Sequence, residues 1–330
     1  MGRILVTGSS GHLGEALVRT LVAQGREVVG FDSRPSPWTA VVGSVTDRRA
    51  TRDAIEGADA VLHTAALHKP QVGGLPRQAF VDTNISGTLT LLDAAADAGV
   101  GAFVMTSSTS VFGDALIPAQ GTPAAWIDET VAAVPKNIYG ATKAAAEDLC
   151  QIAHRNQDLP VVVLRASRFF GELDDAPGTH DGRCDDNVKA DEYAYRRVAL
   201  DDVVDAHLLA MDRAADVGFA RYVVSATTPF VPDDVADLRT DARAVFERRA
   251  PRAAAVWRDR RWRFAERVDR VYDNARARRD LGWTPRFDVD AIAARVERTG
   301  SVLTPMAELV GSKEYPGSAY HLGRFGDTGG

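Results

Sequence analysis

Residues 3–25 read RILVTGSSGHLGEALVRTLVAQG: an apolar run, three spaced glycines, then apolar residues recurring every three or four positions up to Gly25. This order predicts a buried strand over 3–8, a tight turn, and a helix over 14–25 that stops where a glycine can take a left-handed C-cap. Gly8, Gly11 and Gly14 thus lie where a strand hands over to a helix. Without side chains there, the backbone can bend sharply and approach a pyrophosphate, whose charge the helix N-terminus meets.

Outward from this stretch the theme repeats. EVVGFD (27–32), ADAVLHTA (58–65), GAFVMTS (101–107) and PVVVLRA (160–166) are short, Val-rich runs bounded by Gly, Asp or Pro. They lack polar alternation, as strands covered on both faces do. NISGTLTLLDAAADAG (84–99) has helical spacing and ends at Gly99. The alternation predicts an α/β fold with a doubly wound parallel Rossmann sheet and a smaller, mostly helical substrate-binding lobe toward the C-terminus. Residues 1–170 are expected to form the dinucleotide-binding domain, with 200–228 returning to it and 171–199 and 229–330 making the lobe. The polar stretch 171–192 is too long for an ordinary connection and reads as a lid or substrate loop, with His180 a solvated residue inside it. The Arg-rich stretch 239–270 is interspersed with acids and reads as an exposed helix face.

Asp32 closes the second predicted strand, where a carboxylate accepts from an adenosine ribose hydroxyl. It favours NAD, because it would repel the additional phosphate of NADP. Arg34, two residues on, offers that phosphate a partner and leaves NADP possible.

The formal net charge of −6 argues against the basic footprint that nucleic acid requires. No apolar run reaches the roughly 18 residues of a membrane span, and the N-terminus lacks the apolar core of a signal peptide. The two cysteines, Cys150 and Cys184, have no spacing that suggests a metal site or a redox dithiol. The expectation is a cytoplasmic protein with reduced thiols and no bound metal.

NIYGATK (137–143) sets Tyr139 and Lys143 one helical turn apart. A phenol can move an alcohol proton while a nicotinamide exchanges hydride, provided a nearby cation lowers its pKa from about 10. Lys143 supplies that cation and can also hold the nicotinamide ribose. Ser107 and Ser108, in MTSSTSVFG at the carboxyl end of a strand, offer a hydroxyl to fix the substrate oxygen. Taken alone, the Tyr–Lys pair is an ordinary surface contact.

TGSSGHLG, HTAA, NISGT, TSSTSVFG, YGATK and the late LGWTP (281–285) occur in an order and spacing that resemble the extended short-chain dehydrogenase/reductases, the NAD-dependent epimerase/dehydratase family. The resemblance implies Tyr139 as general acid/base, Lys143 as its activator and Ser108 as the orienting hydroxyl. It implies cofactor contacts from Gly8, Ser10, Gly11, His12, Leu13, Gly14, Asp32, Arg34, Ala65, Ala66 and Asn84, with Asp47 and Arg48 at the adenine. Substrate contacts would come from Ser107, Ser108, Thr109, Arg168, His68 and Lys69. A homodimer through the helix bearing Tyr139 and its neighbour is also implied.

Departures from the family pattern narrow the chemistry. The sugar dehydratases carry Asp-Glu after the serine or threonine, and this chain has Thr109 and Ser110, which disfavours dehydration. Arg168 stands where nucleotide-sugar enzymes place an asparagine, and AERVDRVYDN replaces an Arg-Pro-Gly-Asp clamp, so a nucleotide diphosphate is in doubt and an acidic or phosphorylated sugar becomes an option. An ion pair with a neighbouring aspartate would account for Arg168 equally well. The sequence points to an NAD(P)-dependent enzyme acting at a secondary hydroxyl or ketone of a sugar-like molecule. A sugar (nucleotide-sugar) 4-epimerase comes first, then a free-sugar or uronate-type dehydrogenase or ketoreductase. A non-catalytic NAD(P)-binding regulator is the reading from another class, and the joint presence of Ser108, Tyr139 and Lys143 speaks against it.

Overall fold

A computed structural model describes residues 2–171 and 182–313. Among the described residues nine strands alternate with helices: β1 (Arg3–Thr7), β2 (Val28–Asp32), β3 (Val41–Val42), β4 (Ala58–His63), β5 (Ala102–Ser108), β6 (Ala125–Ile127), β7 (Val161–Ala166), β8 (Phe219–Val224) and β9 (Arg270–Tyr272). The helices are α1 (His12–Ala23), α2 (Arg48–Ile55), α3 (Arg77–Phe80), α4 (Gly87–Asp97), α5 (Ile138–Gln157), α6 (Asp185–Glu192), α7 (Leu200–Val217), α8 (Ala242–Arg249), α9 (Pro251–Asp259), α10 (Ala275–Leu281), α11 (Val289–Thr299) and α12 (Pro305–Val310).

Seven strands form one parallel sheet in the order β3-β2-β1-β4-β5-β7-β8. Successive residues on a strand face opposite sides, and here both sides are apolar. Val104, Val162 and Leu164 pack toward α1 and α7, while Phe103, Met105, Val161 and Val163 pack toward α4 and α5. That double burial explains why the strands read as continuous Val-rich runs. The order reverses between β1 and β4, which opens a crevice at the carboxyl ends of the strands.

A second apolar cluster gathers α8, α9 and α11 around Phe246, Trp257 and Phe264, with the Phe246 and Phe264 rings stacked at 4.1 Å. The chain does not divide where the numbering suggests. β6, from the first half, leaves the main sheet to pair with β9, and Ala124 joins the second cluster. Conversely, Ala277, Leu281, Trp283 and Val310 join the cluster of α1 and α7. Trp283 of LGWTP anchors this return, its Nε1 donating to the Asp202 carbonyl at 3.0 Å. The Arg-rich stretch is laced with ion pairs such as Arg243–Glu247 and Arg249–Asp234.

Candidate active site

A cleft of about 700 Å³ lies over the carboxyl ends of β1, β2, β4, β5 and β7. At one end the glycine loop meets α1. A Cβ on Gly14 would stand 1.9 Å from the Gly8 carbonyl oxygen, so glycine is required for the helix to touch the loop. A Cβ on Gly11 would meet only that same oxygen, at 3.3 Å, and otherwise point into open space. No side chain caps the N-terminus of α1, which leaves its first N–H groups for an anion. The Asp32 carboxylate is held by the Ser10 N–H at 3.0 Å and the Arg34 N–H at 2.9 Å. This end fits a pyrophosphate and an adenosine ribose, the two groups NAD would bring. Ser10, His12, Leu13, Arg34, Ala65 and Ala66 line it too.

Beneath the loop runs a buried polar chain. Thr88 Oγ1 gives its only proton to the Asn84 carbonyl at 2.7 Å. His63 Nε2, 2.9 Å from Thr88 Oγ1, must therefore be the donor there. That leaves Nδ1 to accept from Thr7 Oγ1 at 2.8 Å, and Thr7 Oγ1 in turn accepts from the Ala65 N–H at 3.2 Å. Every member is satisfied only with His63 neutral. Burial first, then the Lys143 charge, lowers the His63 pKa to about 3. The histidine of HTAA thus ties β1 to the turn after β4, a role its sequence context did not assign.

Three expected cofactor contacts lie elsewhere. Asn84 is buried in a π turn (Val81–Ser86) and does not line the cleft. It grips the cleft wall from behind, accepting from the Leu67 N–H at 2.8 Å and donating to the Leu67 carbonyl at 2.9 Å and to Thr142 Oγ1 at 3.0 Å. Asp47 caps α2 by accepting from the N–H groups of Arg49 and Ala50. Neither it nor Arg48 lines the cleft, where Gly43, Ser44 and Val45 stand instead.

Midway along the cleft, Ser108, Tyr139 and Lys143 all contribute to its wall. Asn137 starts α5 by accepting from the Gly140 N–H at 2.9 Å, and the next turn carries Tyr139. The approach of this segment depends on Gly113, which has φ +49° and a missing Cβ that would lie 1.9 Å from the Val134 carbonyl oxygen. Ser107 and Ser108 divide their duties. Ser107 Oγ is buried and donates to Glu147 Oε1 at 2.6 Å. Ser108 Oγ accepts from the Ser110 N–H at 3.1 Å and keeps its own proton available. Lys143 is buried, and burial lowers its pKa to about 8 against the upward pull of the Cys150 thiol and of Glu147.

Glu147, one turn beyond Lys143, is a hub the sequence did not reveal. Besides Ser107, it accepts from Arg165 Nη2 at 2.8 Å and Arg221 Nε at 3.1 Å, which binds α5 to β5, β7 and β8 at once.

Long side chains line the rest of the cleft. His68, Lys69, Thr109 and Arg168 are among them, with Lys136, Phe170, Arg196, Arg270 and Tyr272. Phe170 stacks on His68 at 5.2 Å and meets His12 edge-on at 5.2 Å. Arg168 Nη1 donates to Glu192 Oε1 at 3.0 Å, so the ion pair expected with an aspartate is made with a glutamate. Burial alone would raise Glu192, but Arg196, Arg168 and Arg197 outweigh it and hold the carboxyl at about 2. His180 and most of the expected lid, 172–181, lie outside the described residues. Among the described residues no helix is long and apolar enough to cross a membrane, and both cysteines are free, Cys150 buried and Cys184 exposed.

The profile of the NAD dependent epimerase/dehydratase family matches residues 4–189. A 3-beta-hydroxysteroid dehydrogenase of Mycolicibacterium neoaurum is 29% identical, covering 89% of this chain and 90% of its own. A UDP-glucose 4-epimerase of Rhizobium meliloti (strain 1021) is 28% identical, covering 88% and 94%. A solved structure of a short-chain dehydrogenase/reductase superfamily protein from Agrobacterium tumefaciens with bound NAD superposes with a TM-score of 0.62 at 25% identity, covering 90% of this chain and 98% of that one. The chain therefore belongs to the NAD-dependent epimerase/dehydratase family of enzymes, and its cofactor is NAD.

Proposed function

We propose that this protein is an NAD-dependent dehydrogenase that oxidises a secondary hydroxyl of a small, sugar-like substrate, or reduces the matching ketone. The observation that carries the reading is that Ser108, Tyr139 and Lys143 line one cleft with the glycine loop. Bound NAD supplies the hydride acceptor. Ser108 Oγ–H donates to the substrate oxygen and orients it. Tyr139 Oη takes the proton of the hydroxyl as the carbonyl forms, and Lys143, one helical turn away, stabilises the phenolate with its ammonium. Ser107 takes no direct part, since Glu147 holds its proton.

Arg168, where nucleotide-sugar enzymes place an asparagine, and AERVDRVYDN in place of an Arg-Pro-Gly-Asp clamp favour a dehydrogenase over an epimerase. Epimerisation requires the ketone to turn over while a remote anchor retains it, and a nucleotide is such an anchor. The epimerase reading stands second, supported by the full-length similarity to the Rhizobium meliloti enzyme.

Denaturing freshly purified protein and identifying the released nucleotide separates the two. An empty site that binds added NAD, with NADH accumulating on a hydroxy substrate, supports the dehydrogenase. Stoichiometric retained NAD, with sugars interconverted and no NADH released, supports the epimerase. The same reading carries a homodimer through α4 and α5, which leave Leu89 and Ile152 exposed; a monomeric mass by light scattering would refute it.

A further inference from the structure

The cleft has a charge balance unlike the rest of the chain. Lys69, Lys136, Arg168, Arg196 and Arg270 all line it. Among the described residues the single carboxylate lining the cleft, Asp32, is held by the Ser10 and Arg34 N–H groups. In a protein of net charge −6, such a segregation of cations has to be built.

Arg270 stands apart within this group. It begins β9, whose pairing with β6 puts Val271 into the second apolar cluster. Alternation along the strand turns Arg270 and Tyr272 the other way, and both line the cleft. The Tyr272 N–H donates to the Tyr195 carbonyl at 3.1 Å, docking β9 beside Arg196. Arg168 and Arg196 each reach the Glu192 carboxylate. Arg270 Nε, like Arg196 Nε, is buried and makes no hydrogen bond among the described residues, but Arg270, unlike Arg196, reaches no carboxylate there. A buried donor on a cation is costly to leave unmet. The two terminal nitrogens of a guanidinium can hold an anion in a planar fork.

We infer that Arg270 anchors an anionic group of the substrate, a carboxylate or a phosphate monoester carried away from the carbon that is oxidised. This deepens the proposed function and rests on it for the identity of the reacting end.

The test is calorimetric titration of the protein saturated with NAD, using glucuronate, glucose 6-phosphate, neutral glucose and UDP-glucose as probes. Wild-type protein is expected to bind one or both of the first two more tightly than glucose, and the tighter one tells carboxylate from phosphate. Arg270→Gln should weaken that binding by about 30-fold or more and leave glucose unchanged, with Arg270→Lys in between because it keeps the charge but loses the planar fork. Unaltered NAD affinity in both variants reports an intact fold. Equal binding of glucose and the anions, or an Arg270→Gln affinity equal to wild type, overturns the inference. UDP-glucose binding more tightly than either anion and indifferent to Arg270→Gln overturns it in favour of a nucleotide anchor. Tyr139→Phe should abolish turnover without changing the titration, so failure of the chemistry and failure of the anchor are read separately.

Discussion

The two ends of the cleft are made of different materials. The cofactor end is backbone: three glycines, an uncapped helix N-terminus and one carboxylate pinned by two N–H groups. The part proposed to hold the substrate is side chain: arginines at 168, 196 and 270, drawn together by a loop crossing and a two-stranded sheet far apart in sequence. Backbone geometry constrains its own few residues tightly, so the cofactor end tolerates little change. A site made of long side chains can be retuned one residue at a time, so substrate choice can change while the cofactor stays the same.

The largest effect should come where the two ends meet. Tyr139→Phe removes the only proton-transfer group proposed there, and kcat is expected to fall by about 10²–10⁴, with NAD affinity unchanged by fluorescence titration. A variant that keeps its turnover would mean that the two ends do not meet at Tyr139.

Lys143 should show the cost of placing a cation at that junction. In the folded protein it releases its proton near pH 8, against 10.5 when unfolded. Between those values the unfolded chain binds more protons, so stability rises with pH through that window. Below pH 8 the whole penalty is present, about 3 kcal/mol for such a shift. Lys143→Met is therefore expected to unfold at higher urea at pH 7 while losing activity, and to lack the alkaline rise. An unchanged midpoint would mean that the buried ammonium is solvated after all. Such a trade of stability for function is expected of active sites.

Gly14→Ala probes the cofactor end directly. The added methyl would need the 1.9 Å that now separates its position from the Gly8 carbonyl oxygen, and backbone must move. Overpacking of this kind costs about 1–3 kcal/mol, and the displaced loop should weaken NAD binding by about 5- to 150-fold. Full NAD affinity would show that the loop is softer than its contacts imply.

The same contrast governs what the sequence disclosed. Five of the seven sheet strands, β1, β2, β4, β5 and β7, were legible, because each is covered on both faces and reads as a Val-rich run; two-residue β3 carries no such pattern. The glycine loop, Asp32 and the Ser108–Tyr139–Lys143 spacing were legible for a related reason, since each is local in the chain. β6 and β9, with three residues each, were not, and Arg270 became a cleft residue only once their pairing was known. His63 and Glu147 escaped notice because buried polar residues leave no periodic trace. Their hydrogen-bond partners lie 18 to 74 positions away.

Asp47 offers the smallest effect and a clean discrimination. Family resemblance puts it at the adenine, whereas the structure has its carboxylate accepting from the Arg49 and Ala50 N–H groups at 2.9 and 3.1 Å, out of the cleft. A capping carboxylate supports α2, and replacing it by alanine is expected to cost about 1 kcal/mol of stability. If Asp47 only caps, Asp47→Ala lowers the unfolding midpoint and leaves NAD affinity where it was, while Asp47→Ser, which can still cap, restores most of the stability. If the carboxylate turns to the adenine when NAD binds, both variants lose affinity together, because neither keeps the charge. The second result would extend the cofactor end beyond the glycine loop to α2, and would mean that a helix cap in the free protein is exchanged for a ligand contact in the bound one.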